Sequence, residues 1–429
     1  MAARIKHNSF WLDTVPPFGG GIAAPVEGRS GVAIVGGGLT GLSAALTLAR
    51  KGIDAVLLEG GRVMGEASGR NGGHCNNGLS HDFAGVRDRF GIERAREMYR
   101  AFDAGVDLIE ATVNEQGIDC NFVRCGKLKL AAKPEHFNKL RRNQELLARE
   151  VDPDTAMIAP QDLGAEIGTA HFHGGLLQRR SANLHVGRFG ISLADAATRN
   201  GARIFENAAV TAISRAALGR FRVTTTRGSI EADNVLLASG ASRIGPFGWI
   251  RRRIIPIGSF IIVTEPLGAV TARLIMPGRR NCTTSQNIGF YFRMTPDDRL
   301  VFGGRARFAM SGPRSDLKSG RILEAAMRAI FPQLAKTRVD YCWGGLVDMS
   351  RDRLPRAGTR DGLHYAMGFS GHGVQMSTLM GSILARRIAG EDVANPWRDV
   401  EWPPIPGHFG TPWFLPAVGA YYRIMDRLH

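Results

Sequence analysis

Apolar residues recur along this chain in three rhythms, and each rhythm predicts a different element. The continuous run Val32-Ala33-Ile34-Val35 is β-branched and short, which suits a strand buried on both faces. Residues 42–50 are amphipathic, and Gly52 is placed to end a helix there. A second buried strand follows at Ala55-Val56-Leu57-Leu58. Steps of three and four then link Ile92, Ala95, Tyr99, Phe102, Val106, Ile109 and Val113, one face of a helix that Gly117 ends. The stretch GKLKLA, residues 126–131, alternates like a strand, and Pro134 opens a charged helix reaching Glu150. A helix is expected over residues 184–200, with short strands at 201–205 and 210–213. Two strands, 221–226 and 229–232, straddle Arg227-Gly228 as a hairpin, and a separate apolar strand covers 233–241. From Pro246 to about Val339 the pattern is strand and turn, with strands at 254–264, 289–294 and 299–304, then a helix at 322–331 stopped by Pro332. A last short strand runs through glycines into a helix over 374–389.

The first two strands enclose the most informative spacing. Gly36, Gly38 and Gly41 form G-x-G-x-x-G between a strand and a helix, and Glu59 closes the second strand. In such a βαβ unit the first glycine permits a tight turn, the second lets backbone approach a pyrophosphate, and the third lets helix and strand pack closely. Leu39 and Thr40, between the second and third glycines, are expected cofactor contacts just ahead of a helix whose free N–H groups and partial positive charge suit phosphates. Glu59 is expected to accept a hydrogen bond from a ribose 2′-OH and to repel a 2′-phosphate, which disfavours NADP.

Composition changes this picture little. The chain has 429 residues, 44% hydrophobic, so a large core is expected. Its net charge of +16 brings nucleic acid and anionic membranes into view. The basic residues are dispersed, however, and the clusters at 251–253 and 279–280 lack interleaved aromatics, so nucleic acid is disfavoured as a partner. Five cysteines without a C-x-x-C pair argue against a structural zinc site and fit a reducing compartment; a cytoplasmic location is the expectation. No metal site is expected, since His171 and His173 lack a third ligand at motif spacing. No apolar run approaches the roughly 20 residues of a transmembrane helix. Residues 1–30 are expected to run over the surface, with Ser9-Phe10-Trp11 as their anchor-like element. The aromatic tail beginning at Trp413 is expected to pack as a C-terminal segment rather than lie in a membrane interface.

After the βαβ unit comes Ala67-Ser68-Gly69-Arg70-Asn71-Gly72-Gly73-His74, a loop dense in glycine and small polar residues. Together with G-x-G-x-x-G and Glu59, this loop resembles the FAD-dependent D-amino-acid oxidase superfamily. Within it, Tyr291-Phe292-Arg293 followed by residues 300–305 resembles the γ-glutamylputrescine oxidase group of amine-oxidising flavoenzymes. The resemblance covers nearly the whole chain. It implies an α/β chain: a glutathione-reductase-like, Rossmann-type FAD-binding domain with an antiparallel substrate domain. Residues 1–90, 181–245 and 340–429 would form the FAD-binding domain, and residues 91–180 and 246–339 the substrate domain. It further implies FAD contacts at Gly60, Ser68, Gly69, Arg70, Asn71, Gly72, Gly73, Val210, Ser239, Gly240, Gly371, His372, Gly373 and Val374.

The implied reaction removes a hydride from the carbon beside an amine nitrogen. The imine then hydrolyses to an aldehyde or keto acid. Oxygen is the expected acceptor, giving hydrogen peroxide, with a quinone-linked dehydrogenase as the alternative. His74, Tyr291, Trp343 and His372 are the candidate catalytic residues: His74 to tune the ring or touch substrate, Trp343 and Tyr365 as cavity walls. Alternation places Tyr291 and Arg293 on one strand face, toward either the substrate cavity or solvent. Three rivals remain open at this level: a D-amino-acid or glycine-type oxidase, a flavoprotein acting on modified tRNA, and a non-catalytic interaction subunit. The substrate and the oligomeric state are not specified by these residues.

Overall fold

The structure, a computed structural model, describes residues 5–428. β1 (Arg29–Val35) leads into α1 (Leu39–Arg50) and β2 (Ala55–Leu58). The helix starts a turn earlier than its apolar periodicity, because extended Gly38 caps it directly. α2 (Ile92–Gln116) ends at Gly117, whose φ of 62° is the left-handed cap that glycine adopts at little steric cost. β3 (Lys127–Leu130) and α3 (Pro134–Glu150) follow as their patterns predict. β4 (Gly228–Leu237) is one continuous strand where two were expected. Its Glu231, Ala232 and Asn234 register against Arg29, Ser30 and Val32 of β1, so ladder pairing overrides the local polar Asp-Asn signal. β5 (Ile255–Thr264), β6 (Phe290–Met294) and β7 (Leu300–Gly304) are close to expectation. The helix expected at 322–331 starts earlier, spanning Pro313–Ile330 with Pro at its first turn. β8 (Val339–Met349) precedes α4 (Gly373–Ile388).

Two eight-stranded sheets carry the chain. The first runs in the order Arg356–Arg360, Leu363–Met367, β4, β1, β2, Arg203–Phe205, with Phe221–Thr225 and Val210–Arg215 as a hairpin extension off β4. β4, β1, β2 and Arg203–Phe205 pair in parallel, and their apolar stretches, residues 32–35, 55–58 and 235–237, are buried on both faces. Each fully buried Leu or Ile there contributes about 1.5–3 kcal/mol. The second sheet runs β8, β5, β7, β6, Asn281–Thr284, β3, Gly175–Gln178, Ala156–Ile158. It is antiparallel except where Asn281–Thr284 lies parallel to β3. The sheets motivate the proposed division into nucleotide and substrate units. β8 pairs with β5 along its length, however, and so belongs to the second sheet, although residues from 340 onward were expected in the FAD-binding part.

The N-terminal segment runs largely over the surface, as expected, and Ser9-Phe10-Trp11 is its anchor: residues 10–13 form a short helix with Phe10 and Trp11 buried. Residues 1–4 and 429 lie outside the described residues. The C-terminal helix Leu415–Leu428 packs through Leu415 on Ile257, Phe308 and Met349. Among the described residues no helix is long and apolar enough to cross a membrane.

Candidate active site

β1, β2 and β4 end together, with Val35 registered against both Leu58 and Leu237. Gly36, Glu59, Gly60, Ser239 and Gly240 therefore gather at one sheet edge, where an open α/β sheet receives its ligand. Gly36 has φ +114°, and a Cβ there would stand 2.6 Å from the Ala238 carbonyl oxygen. A Cβ on Gly38 would stand 2.7 Å from Ser68 Oγ, and one on Gly41 would overlap the Gly36 carbonyl oxygen. Ser68 Oγ accepts from the Leu39 amide at 3.0 Å and thereby ties the second loop to the first turn of α1, where Thr40 is buried. Glu59 accepts from the amides of Gly37 (2.6 Å) and Gly61 (2.7 Å), and burial pushes its carboxyl upward. Val210 is buried at the start of the hairpin extension.

The loop after β2 is more ordered than its composition suggests. Ala67–Arg70 is a short helix, followed by an Asn71 turn and a ribbon pairing His74–Cys75 with Ala182–Asn183. Asn71 Oδ1 accepts from the Gly73 amide at 2.8 Å, and its side-chain amide donates to the Ser68 carbonyl at 2.7 Å. The N-terminal segment clamps this loop. Ser9 Oγ donates to the Gly69 carbonyl (2.6 Å), and Trp11 Nε1 donates to the Asn71 carbonyl (2.6 Å). Arg293 is 1% exposed and closes the clamp from β6. Its Nε donates to Gly72 O (2.9 Å), its Nη2 to Leu184 O (2.8 Å), and its guanidinium lies over the Trp11 ring. Of the two surroundings expected for Arg293, cavity or solvent, the structure supplies neither.

Tyr291, two residues back on the same face, does border a cavity of about 530 Å³. Its ring lies between Gly72 and Gly303, where a Cβ would meet it at either position. Its hydroxyl is 3.0 Å from Ser259 Oγ, and burial holds the phenol neutral, up at about 12. His74 meets Tyr291 edge to face. His74 Nε2 is buried without a partner, and burial with nearby Arg293 drives its imidazole well below the ordinary range. His372 caps the N-terminus of α4 across the cavity, with Nδ1 3.0 Å from Ser80 Oγ. Burial and the surrounding cations lower it to about 3, so it is neutral near pH 7. Arg70, Asn71, Gly72, Gly371, Gly373 and Val374 line the same space. The first turn of α4 leaves backbone N–H groups without intrahelical partners there.

Trp343 does not border the cavity. It is fully buried, and its indole N–H donates to the Arg70 carbonyl at 3.0 Å, so it supports the loop from behind. Tyr365 packs between Trp249 and Trp402, also away from the cavity. Sequence reasoning put Arg293 on the strand face of Tyr291 but missed its bonds to Gly72 and Leu184, and it missed Asp348 and the cavity-lining Lys127, Lys129, Arg305 and Arg353. Alternation in residues 126–131 was the one available signal, since it puts both lysines on one face. Among the described residues no group of three or more His, Cys, Asp or Glu could hold a metal ion.

Asp348 sits at the end of β8, between the Gly240 turn and the strand leading to α4. It accepts from the Gly368 amide at 2.6 Å, and burial pushes its carboxyl up to about 6. An unfolded aspartate titrates near 3.8. Between these values the folded chain holds a proton that the unfolded chain has lost, so this group's contribution to stability declines as pH rises from about 4 to about 6. His372 and His185, lowered to about 3 and 4, act oppositely: their contribution is full above 6.5 and declines as pH falls. The wild-type minus Asp348→Asn difference isolates the carboxyl. We expect urea midpoints to show wild type losing about 2–3 kcal/mol relative to the variant across that interval. A flat difference would contradict the burial of this carboxylate.

These residues fit FAD. Gly371 and Gly373 line the cavity with nothing within 4 Å of a Cβ at either, His74 Nε2 and Gln375 Oε1 are buried without partners, and the segment that brings Ala67 and Arg70 to the cavity is tied by Ser68 to the turn that opens α1. The FAD-dependent oxidoreductase (DAO) family pattern matches residues 31–387, and the chain belongs to that family; its cofactor is FAD. It is similar to γ-glutamylputrescine oxidoreductase of Escherichia coli K12, 31% identical over 92% of this chain and 93% of that one. It is also similar to a probable oxidoreductase, OrdL, of Haemophilus influenzae, 30% identical over 84% and 83%. Among solved structures, glycine oxidase from Geobacillus kaustophilus superposes with a TM-score of 0.71 at 21% identity, covering 87% of this chain and all of that one. That likeness supports the two-sheet fold.

Proposed function

We propose that this chain oxidises the C–N bond of an amine, of the γ-glutamylated diamine or N-substituted amino acid type, and that oxygen is the final acceptor, giving hydrogen peroxide. The supporting observation is the cavity between the Arg70–His74 segment and the start of α4, in a chain similar to an enzyme named for γ-glutamylputrescine. When bound, FAD supplies the acceptor for the hydride equivalent leaving the carbon beside nitrogen. The residues around the cavity select and orient. Neutral His74, His372 and Tyr291 bring apolar edges and hydrogen-bond capacity but no proton-donating cation near pH 7. The amine must be neutral for its lone pair to assist. Lys129, Arg305 and Arg353, which line the cavity, disfavour the ammonium and so favour that form. The α4 amides at Gly373 and Val374 are placed to stabilise negative charge at the cavity edge.

The test is an anaerobic absorbance titration of the purified holoprotein with a panel of amines and amino acids, followed by air. Bleaching by a secondary amine or γ-glutamylated amine, reversed by air with peroxide formed, is the expected result. Bleaching by glycine or D-amino acids alone would move the assignment to an amino-acid oxidase. A flavin that no member reduces would remove the amine reading. Full reduction that air does not reverse would make the chain a dehydrogenase.

A further inference from the structure

The C-terminal helix Leu415–Leu428 is apolar on two sides, and packing uses only one of them. Leu415 is buried against Ile257, Phe308 and Met349, and Tyr422 stacks on Phe308 with ring centroids 5.4 Å apart. Pro416, Ala417, Ala420, Tyr421 and Ile424 recur at helical spacing on the opposite side and are exposed. Trp413 continues that stripe ahead of the helix and is 72% exposed. Phe409, 76% exposed, and the exposed Ile244 stand in the adjoining loops. A helix that faces water carries polar residues on its outer side, whereas this outer stripe is uncharged and only flanked by Arg423.

The surroundings of the stripe are basic. Arg307 and Arg423 border a hollow of about 380 Å³ together with Trp413 and Pro416. Arg252 lies over the Phe409 ring, 5.4 Å from its centre. Arg243 donates to Thr411 Oγ1 at 3.3 Å, and Arg251 donates to the Arg243 carbonyl at 2.8 Å. The three segments that supply these arginines, residues 234–264, 299–315 and 402–425, contain no Asp or Glu. Among the described residues none of these arginines forms an ion pair, whereas Arg299 and Arg338 each engage two carboxylates. Asp426, the first acid after Arg423, is taken up by the backbone amides of Asn287 and Ile288, each at 2.8 Å.

We propose that this face docks on an anionic lipid bilayer, with Phe409, Trp413, Tyr421 and Ile424 entering the interfacial layer and Arg243, Arg251, Arg252, Arg307 and Arg423 meeting the headgroup phosphates. Trp and Tyr settle at the water–lipid boundary because each has an apolar body and a hydrogen-bonding end. Arginine stems lie along apolar surface while their guanidinium groups reach the phosphates. Anionic headgroups supply the counter-charge that the neighbouring segments of this chain lack. A second copy of the chain would set the same arginines against one another across a two-fold axis. Nucleic acid would engage the arginines but gain nothing from a stripe of Ala417, Ala420 and Ile424. Asn287, whose amide Asp426 holds, lines the central cavity, so a docked molecule keeps part of that lining beside the membrane.

The test is flotation of the purified holoprotein with vesicles of phosphatidylcholine alone and with vesicles that also contain phosphatidylglycerol. Binding to the anionic vesicles that weakens with salt, and little binding to the neutral ones, is the expected result. Trp413→Ala should weaken binding about ten-fold or more, the scale of burying one large apolar side chain. The double variant Arg252→Gln, Arg423→Gln should weaken it about five-fold per arginine. Both variants alter exposed side chains on separate segments, so FAD content should stay at the wild-type level and a folding failure in one leaves the other informative. No binding to anionic vesicles, equal binding to both vesicle types, or undiminished binding by either folded variant would overturn the proposal. A dimer in sedimentation equilibrium that Trp413→Ala dissociates would assign the face to a second copy instead. Retention on duplex RNA that the arginine variant abolishes and Trp413→Ala leaves intact, without vesicle binding, would assign it to nucleic acid.

Discussion

A Gly41→Ala variant is expected to be recovered without FAD. The methyl group would overlap the Gly36 carbonyl oxygen and press on Ile34 Cγ2 at 3.3 Å. The helix cannot retreat, because its other side is held as tightly. A Cβ on Gly381 of α4 would overlap the Thr40 carbonyl oxygen, and Ser43 Oγ donates to the Thr378 carbonyl at 2.7 Å. Overpacking of this kind costs about 1–3 kcal/mol or more, and here it also displaces the first-turn N–H groups proposed to face the phosphates. Flavin absorbance after purification with excess FAD reads the result. Gly52→Ala is the control: its φ of +69° makes alanine strained, at about 1–2 kcal/mol, but nothing lies within 4 Å. The control should lose stability and keep FAD. Stoichiometric FAD in Gly41→Ala would refute the close-approach argument.

The second large effect is expected at Arg293. Arg293→Met keeps much of the length and apolar contact but leaves the Gly72 and Leu184 carbonyls without donors. Each buried unsatisfied acceptor costs about 1–3 kcal/mol, so a loss of roughly 2–5 kcal/mol is expected. Arg293→Lys should rescue little, since one ammonium cannot reproduce the fork that spans both carbonyls. Because the clamp holds Gly72 beside Tyr291, FAD affinity should fall along with thermal stability. Hydrogen exchange at residues 71–75 should rise more than in β1. Unchanged exchange there, with melting lowered everywhere equally, would mean the guanidinium supports the core and not the loop.

The two predictions also mark what was legible in the chain. Gly36, Gly38 and Gly41 announce themselves because their roles are local: turn, approach and packing all act within a few residues. Gly117, a left-handed cap at the end of a periodic helix, is legible for the same reason. Arg293 was placed on the correct strand face, but its surroundings come from Gly72, Leu184 and Trp11, which only tertiary pairing brings together. Trp343 and Tyr365 failed as cavity walls because an aromatic residue near a motif has the same appearance whether it faces the cavity or the core. β4 was divided by its Asp-Asn pair because the ladder with β1 that keeps it whole is non-local. The basic lining of the cavity depends on β3 meeting α3 and the loops carrying Arg305 and Arg353, and no window of sequence contains all of them.

The clasp between α1 and α4 has a consequence for biosynthesis. Ser43 and Thr378 are 335 positions apart, and the cofactor cradle takes backbone from both helices. The N-terminal helix that grips Gly69 and Asn71 leaves the ribosome first, yet its Phe10 packs edge to face on Tyr341, which emerges late. A nascent chain can therefore assemble β1, α1 and β2 early but has no complete cradle until α4 has been translated. Flavin loading is a late, whole-chain event, and a chain stalled or cleaved before α4 is an apoprotein whatever the supply of FAD.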